Sequence, residues 1–103
     1  MRHVSLINLI ALSVIFSFNV FDMEWPVEIN TVEICEALGL GQQVQEYKVE
    51  GQVDSDWKLL SHGTTIGDSK IDRFPNVIVW KVKLTILKAQ PYTAIRKFGI
   101  YFR

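Results

Sequence analysis

A single cysteine, Cys35, is all the thiol this chain has, so it can form no internal disulfide and no multi-cysteine zinc cluster. No basic residue adjoins it in sequence to favour a thiolate, and its plainest role is that of a small buried hydrophobe. Length is also scarce. At 103 residues the chain can bury one modest core, which excludes two full domains, and a (β/α)₈ scaffold of about 250 residues does not fit. Net charge is absent, with 11 Lys plus Arg against 11 Asp plus Glu. A generally basic surface for nucleic acid is therefore excluded, as is electrostatic attachment to an anionic membrane. Internal repeats and low-complexity stretches are missing too. What the chain does have is apolar content, 49% hydrophobic and 12% aromatic, too much for a disordered segment.

The zero charge conceals a division. Residues 1–76 hold all 11 acidic side chains and 5 basic ones, whereas residues 77–103 hold Lys81, Lys83, Lys88, Arg96, Lys97 and Arg103 and no acid. The basic end could form an anion-binding surface. The simpler arrangement pairs late basic strands with early acidic ones such as Val44 to Glu50, neutralising both across a sheet.

From Val4 to Phe21 run 18 uncharged residues, preceded by Arg2 and His3 and followed by Asp22 and Glu24. That is the layout of a secretory signal, with a positive start and an apolar stretch, and it predicts a secreted, extracellular (apoplastic) protein. The cleavage candidates, Ala11-Leu12-Ser13 and Ser17-Phe18-Asn19, are poor ones. A membrane anchor is disfavoured by Ser5, Asn8, Ser13, Ser17 and Asn19. A misassigned or truncated start is the third alternative. The expected division is a leader over 1–21 and a body over 22–103.

No sustained helical period follows residue 22; apolar residues alternate in short runs bounded by Gly, Pro, Asp and Asn. The body reads as all-β. Val27, Ile29, Val32 and Ile34 mark a strand with a bend or bulge at Asn30-Thr31. Glu36 to Gly41 reads as loop, Gln43 to Glu50 as strand and Gly51 to Asp56 as turn. Trp57 to Leu60 is a strand, Ser61 to Asp68 a loop with Gly63 and Gly67 placed for positive φ, and Ile71 pairs briefly before Phe74-Pro75-Asn76 breaks the chain. Val77 to Leu87 is the longest strand, with Ile78, Trp80, Val82, Leu84 and Ile86 expected inward. Ile95 to Phe102 closes the series. Trp80 is expected in the core; Trp57, which follows a turn, is expected in the core or at its rim. Strands with alternating faces imply two sheets packed face to face.

Several runs in this order resemble a known family: Leu40-Gly41-Gln42-Gln43-Val44, Tyr47-Lys48-Val49-Glu50, Trp57-Lys58, Gly63-Thr64-Thr65-Ile66-Gly67, Lys70-Ile71-Asp72-Arg73-Phe74 and Phe98-Gly99-Ile100-Tyr101. They are similar to the carboxy-terminal β-sandwich of plant-type α-L-fucosidases of glycoside hydrolase family 29, itself similar to discoidin-like, galactose-binding-like jelly rolls. The likeness runs from about Phe21 to Tyr101. Gln43 departs from it where the family often has Arg, as does Lys83, and the opening strands of a complete module are missing or replaced by residues 1–21. The resemblance implies an incomplete sandwich and an accessory, non-catalytic part of an enzyme that hydrolyses terminal α-L-fucosyl residues. The catalytic barrel of that family precedes the sandwich, and none of its motifs occurs here.

Chemistry within the chain itself has little to draw on. Retaining glycosidases need two carboxyl groups about 5–5.5 Å apart, but Asp54, Asp56, Asp68 and Asp72 all fall on expected turns, where side-chain bonding to local backbone accounts for them. Asp54, Ser55 and Asp56 do not supply the six to eight oxygens of a calcium site. No catalytic residue, metal or cofactor is expected. For sugar contact the candidates are His62, Asp72, Arg73 and Tyr92, planar or charged side chains at expected loop ends. The partners implied are a fucosylated or galactosylated glycan, or a fucosidase barrel on which the sandwich docks; nucleic acid and membrane are not. The alternatives to an accessory module are a stand-alone lectin-like module and a non-functional gene fragment.

Overall fold

The computed structural model describes residues 2–7, 17–37, 44–90 and 95–103, with side chains described from Val20 onward. Six strands make up the described chain: β1 Arg2–Ile7, β2 Ser17–Glu36, β3 Val44–Val53, β4 Asp56–Gly63, β5 Lys70–Ala89 and β6 Ile95–Phe102. They form one sheet in the order β1-β6-β2-β5-β3-β4, antiparallel at every pairing. The protein is an incomplete β-sandwich, as the resemblance implies, but its two layers belong to one continuous sheet in place of the two sheets the alternating pattern suggests.

The layering comes from the two 20-residue strands, β2 and β5, which run through both halves. Thr31–Ile34 pairs with Lys70–Arg73 in one half, beside β6 and β1. Ser17–Asp22 pairs with Lys81–Ile86 in the other, beside β3 and β4. Between them the ladder breaks twice, where residues 23–26 face Trp80 and where Asn30 faces Phe74, Pro75 and Asn76. Each mismatch bends and twists the strands. The sheet folds over itself there, bringing the Phe21 ring of one half to 5.2 Å from Phe98 of the other, centroid to centroid. The shortest dimension, 21 Å, suits two layers about 10 Å apart with their side chains.

Local chemistry fixes both bends. Glu24 N–H donates to Asp22 Oδ1 at 2.8 Å, holding Glu24 at φ 73°. Pro75 falls where no ladder partner is required, which is how a long strand tolerates proline. The expected break at Phe74-Pro75-Asn76 is thus a bend inside one continuous strand, and the expected irregularity at Asn30 is present. Asn30 supports it by donating to Asn76 Oδ1 at 3.0 Å and to the Arg103 carbonyl at 2.7 Å, and by accepting from Arg103 N–H at 2.9 Å.

The core contains Ile29, Val32 and Ile34 from β2, Val44, Tyr47 and Val49 from β3, Val79, Val82, Leu84 and Ile86 from β5, and Ile95, Phe98 and Ile100 from β6, with Ile66 from the loop. Trp80 and Ile78 are corrections. They are 43% and 57% exposed, while Val79 points inward. Strict alternation back from Val82 would bury Trp80, but the mismatch opposite residues 23–26 shifts the phase, so Val79 and Val82 are both buried. The turn after β3 is also tighter than expected: Val53 pairs with Asp56, leaving Asp54, at φ 56°, and Ser55 as the whole connection.

Charge is paired across the sheet. Early acids face late bases: Glu46 lies opposite Lys88, Glu50 opposite Lys83 and Asp22 opposite Lys81. Lys97 Nζ reaches Glu33 at 2.9 Å and Arg96 reaches Asp68 at 3.5 Å. The two oppositely charged stretches therefore neutralise each other across the sheet. The expected boundary after residue 21 falls inside β2, and β1, within the expected leader, pairs with β6.

Candidate functional site

One polar cluster lies where the two halves meet. Tyr47, fully buried on β3, donates its hydroxyl to Asp72 Oδ2 on β5 at 2.5 Å. Lys70 Nζ donates to Asp72 Oδ1 at 2.9 Å and to the Tyr47 hydroxyl at 3.1 Å. Lys70 and Asp72 are two apart on a strand and so share a face. Burial, with the bond to Asp72, pushes the Tyr47 phenol up to about 12. Burial works to raise the Asp72 pKa, but the bonds from Tyr47 and Lys70 outweigh it and hold the carboxyl below its ordinary value. The bond to Asp72, then that to Tyr47, raises Lys70. Ser61 Oγ is buried and lies close enough to help lower Asp72, yet it makes no hydrogen bond of acceptable geometry. Gly63 closes the cluster, since a Cβ there would lie 2.9 Å from the Tyr47 ring.

A second tie fixes the loop after β4. Glu36, buried at the end of β2, accepts from Val44 N–H at 3.1 Å and Gly67 N–H at 2.9 Å, while its own N–H donates to the Gly67 carbonyl at 3.0 Å. Gly67 has φ 71°, as its place in the sequence suggests; Gly63 is needed instead for the close approach of Tyr47.

The described candidates for sugar contact, His62, Asp72 and Arg73, sit on two strands. Asp72 is buried in the cluster just described, and its neighbour Arg73 is exposed on the opposite face of the strand. His62 is exposed on β4, opposite Lys48. Tyr92 lies outside the described residues. The strand geometry that places Asp72 and Arg73 consecutively also sends them to opposite sides, so they share no surface. Of the other acids, Asp54 lies in the β3–β4 turn, Asp56 pairs with Val53 beside it, and Asp68 faces Arg96. Among the described residues no group of three or more His, Cys, Asp and Glu could hold a metal ion.

What the sequence pattern misses is aromatic exposure. Trp25 is 63% exposed, beside Pro26 in the segment facing Trp80, and Trp57 is 36% exposed on β4. Lys83 Nζ lies 4.3 Å from the centre of the Trp57 ring, although β3 separates the two strands. Reading Val77 to Leu87 in two phases would have exposed Trp80. No local signal marks Trp57 and Lys83 as neighbours.

No protein-family model matches the chain. Among curated proteins it is 33% identical over 81 residues to a protein of Oryza sativa subsp. japonica named for α-L-fucosidase 1, covering 79% of this chain and 16% of the relative. It is 31% identical over 78 residues to α-L-fucosidase 1 of Arabidopsis thaliana, covering 73% and 15%. The chain thus spans about one sixth of the curated relatives it matches. Among solved structures, one from Bacteroides ovatus named for α-L-fucosidase matches 99% of this chain and 17% of its own, at TM-score 0.83 and 25% identity. A chitosan-binding module from Paenibacillus shares the fold, at TM-score 0.75 and 17% identity, over 90% of this chain and 73% of the module. Fold and matches together define a carbohydrate-related β-sandwich module. Within that class the chain is homologous to a small, all-strand portion of α-L-fucosidases.

Proposed function

We propose that the chain serves an α-L-fucosidase as a non-catalytic β-sandwich, of discoidin-like, galactose-binding-like type, docked on a barrel that hydrolyses terminal α-L-fucosyl residues. The observation that carries this is the extent of the match: 79% of this chain aligns with 16% of a much longer relative. The test mixes the full chain with a catalytic portion of the Arabidopsis relative and follows co-elution and fucose release from an aryl fucoside. Co-elution, with release only when the catalytic portion is present, is expected. Release by the chain alone, or no association, overturns the reading.

A second reading, lectin-like binding of a fucosylated or galactosylated glycan, is favoured by the exposed tryptophans and by the fold shared with a chitosan-binding module. Secretion completes the proposal, with residues 1–21 as signal peptide. A mature extracellular protein beginning near Asp22 supports it; one that retains Met1 sinks it.

A further inference from the structure

The half of the sheet built from β2, β5, β3 and β4 has an outer face whose composition follows from register. Val49 and Gly51 point inward, so Lys48, Glu50 and Gln52 point outward. Along one row Val20 faces Lys83, Lys83 faces Glu50 and Glu50 faces Leu59. The next row is Asp22, Lys81, Gln52 and Trp57, and on the other side Thr85, Lys48 and His62 line up. Ion pairs run along and between the rows: Glu50 lies 3.8 Å from Lys83 in its own row and 3.5 Å from Lys48 in the next. The 4.3 Å approach of Lys83 Nζ to the Trp57 ring means that indole and ammonium reach towards each other over β3.

We propose that this face binds a neutral saccharide, one pyranose ring lying on Trp57 and Leu59 with its hydroxyls bonded to Glu50, Lys83 and Lys48. The proposal rests on the glycan-binding reading and is independent of docking on a barrel. A pyranose has an apolar C–H face and a rim of hydroxyls, which fits the indole face that Lys83 does not cover and a 52% exposed leucine set among charged donors and acceptors. The core of a protein interface is depleted of charged residues, whereas here Trp57 and Leu59 are interspersed with Lys83, Glu50 and Lys81. Charge decides the sugar class. Lys48, Lys81 and Lys83 outnumber Glu50 and Asp22, so a cationic glucosamine chain meets like charge and a neutral glycan does not. His62 borders this face, while Asp72 and Arg73 take no part in it.

The test is an NMR titration of the full chain with 2′-fucosyllactose, and separately with a chitosan hexamer. The expected result is a saturable shift of the Trp57 indole N–H and of amides in residues 48–52 and 81–85 with the neutral sugar, at a dissociation constant of about 1 mM, and weaker or no response to the chitosan hexamer. Trp57→Ala should weaken binding at least about tenfold, Glu50→Gln should weaken it less, and Trp80→Ala should leave it unchanged. If Trp57→Ala loses spectral dispersion, Glu50→Gln together with the shift map decides. No saturable shift with the neutral sugar, shifts centred on Trp25 and Trp80, full binding by Trp57→Ala or by Glu50→Gln, or tighter binding of the chitosan hexamer overturns the proposal. The docking reading, tested by co-elution, stands or falls separately.

Discussion

Raising the pH should drain stability from this fold through one buried side chain, Tyr47. Its phenol is pushed up to about 12 in the native state, whereas in the unfolded chain it titrates near the ordinary value of about 10. Below about pH 10 both states hold the proton, and the stabilisation of the neutral phenol is fully present. Between about 10 and 12 the unfolded chain has lost the proton and the native state keeps it, so unfolding free energy falls by about 1.4 kcal/mol per pH unit. Across the window the loss is about 2.7 kcal/mol, a substantial part of the 5–15 kcal/mol of a typical domain. The assay is urea denaturation at half-unit steps from about pH 9 to about pH 12, run in parallel on Tyr47→Phe. The variant loses at neutral pH both the hydrogen bond donated to Asp72, about 1.5–3 kcal/mol, and the one accepted from Lys70, and then loses less on alkaline titration than the parent. Lys70 remains in both proteins, still 2.9 Å from Asp72 in the parent. Its raised pKa acts in the same alkaline direction, and it largely cancels in the difference. Parallel alkaline curves for parent and variant would refute the reasoning, as would a native Tyr47 that ionises near pH 10 in its ultraviolet difference spectrum.

The same cluster has an acid arm. Asp72 is lowered in the native state, so its contribution is present above its unfolded value of about 3.9 and is lost as pH falls through the lower native one; Asp72→Asn should flatten the acid limb of a stability profile. Glu36→Ala should strand two backbone donors, Val44 N–H and Gly67 N–H, and cost about 2–5 kcal/mol, with faster hydrogen exchange at both amides, while Glu36→Gln keeps an acceptor and costs less. Gly63→Ala should cost about 1–3 kcal/mol, because its Cβ would lie 2.9 Å from a Tyr47 ring held by Asp72. Trp80→Ala, at an exposed position, should change the denaturation midpoint little, against about 3–5 kcal/mol for Phe98→Ala in the core.

Period-two alternation made most strands legible, because a half-buried strand writes its buried face directly into sequence. Val82, Leu84 and Ile86 are read correctly that way, as are Phe98 and Ile100. Alternation fails wherever phase changes, and phase changes are set by mismatches between strands distant in sequence. Trp80 is exposed because residues 23–26 bulge opposite it, more than fifty positions away. Asp72 was legible as a polar residue but not as a buried one, since its partner Tyr47 is 25 residues distant. Lys70 was within reach: reading a strand through 70–73 in place of a turn would have put it beside Asp72. The charge division was legible outright, because opposite signs placed on pairing strands leave a surface without a net field.

The amino terminus shows why hydropathy alone cannot separate an address from a structural element. A signal segment and a half-buried strand are both short, apolar and uncharged, and Val4 to Phe21 satisfies either description. Ser17–Asp22 runs in continuous register against Lys81–Ile86, and Phe21 packs on Phe98 across the sandwich. The Lys81–Ile86 stretch carries the buried Val82 and Leu84. On its other side it pairs with β3, so removing Ser17–Asp22 would leave one flank of a core strand unpaired. The β2–β5 pairing runs back to Ser17, so cleavage of residues 1–21 as a signal would give up that pairing. A chain trimmed after Phe21 should therefore show faster amide exchange along Lys81–Ile86, whereas unchanged protection there would mean that these residues add nothing to the fold.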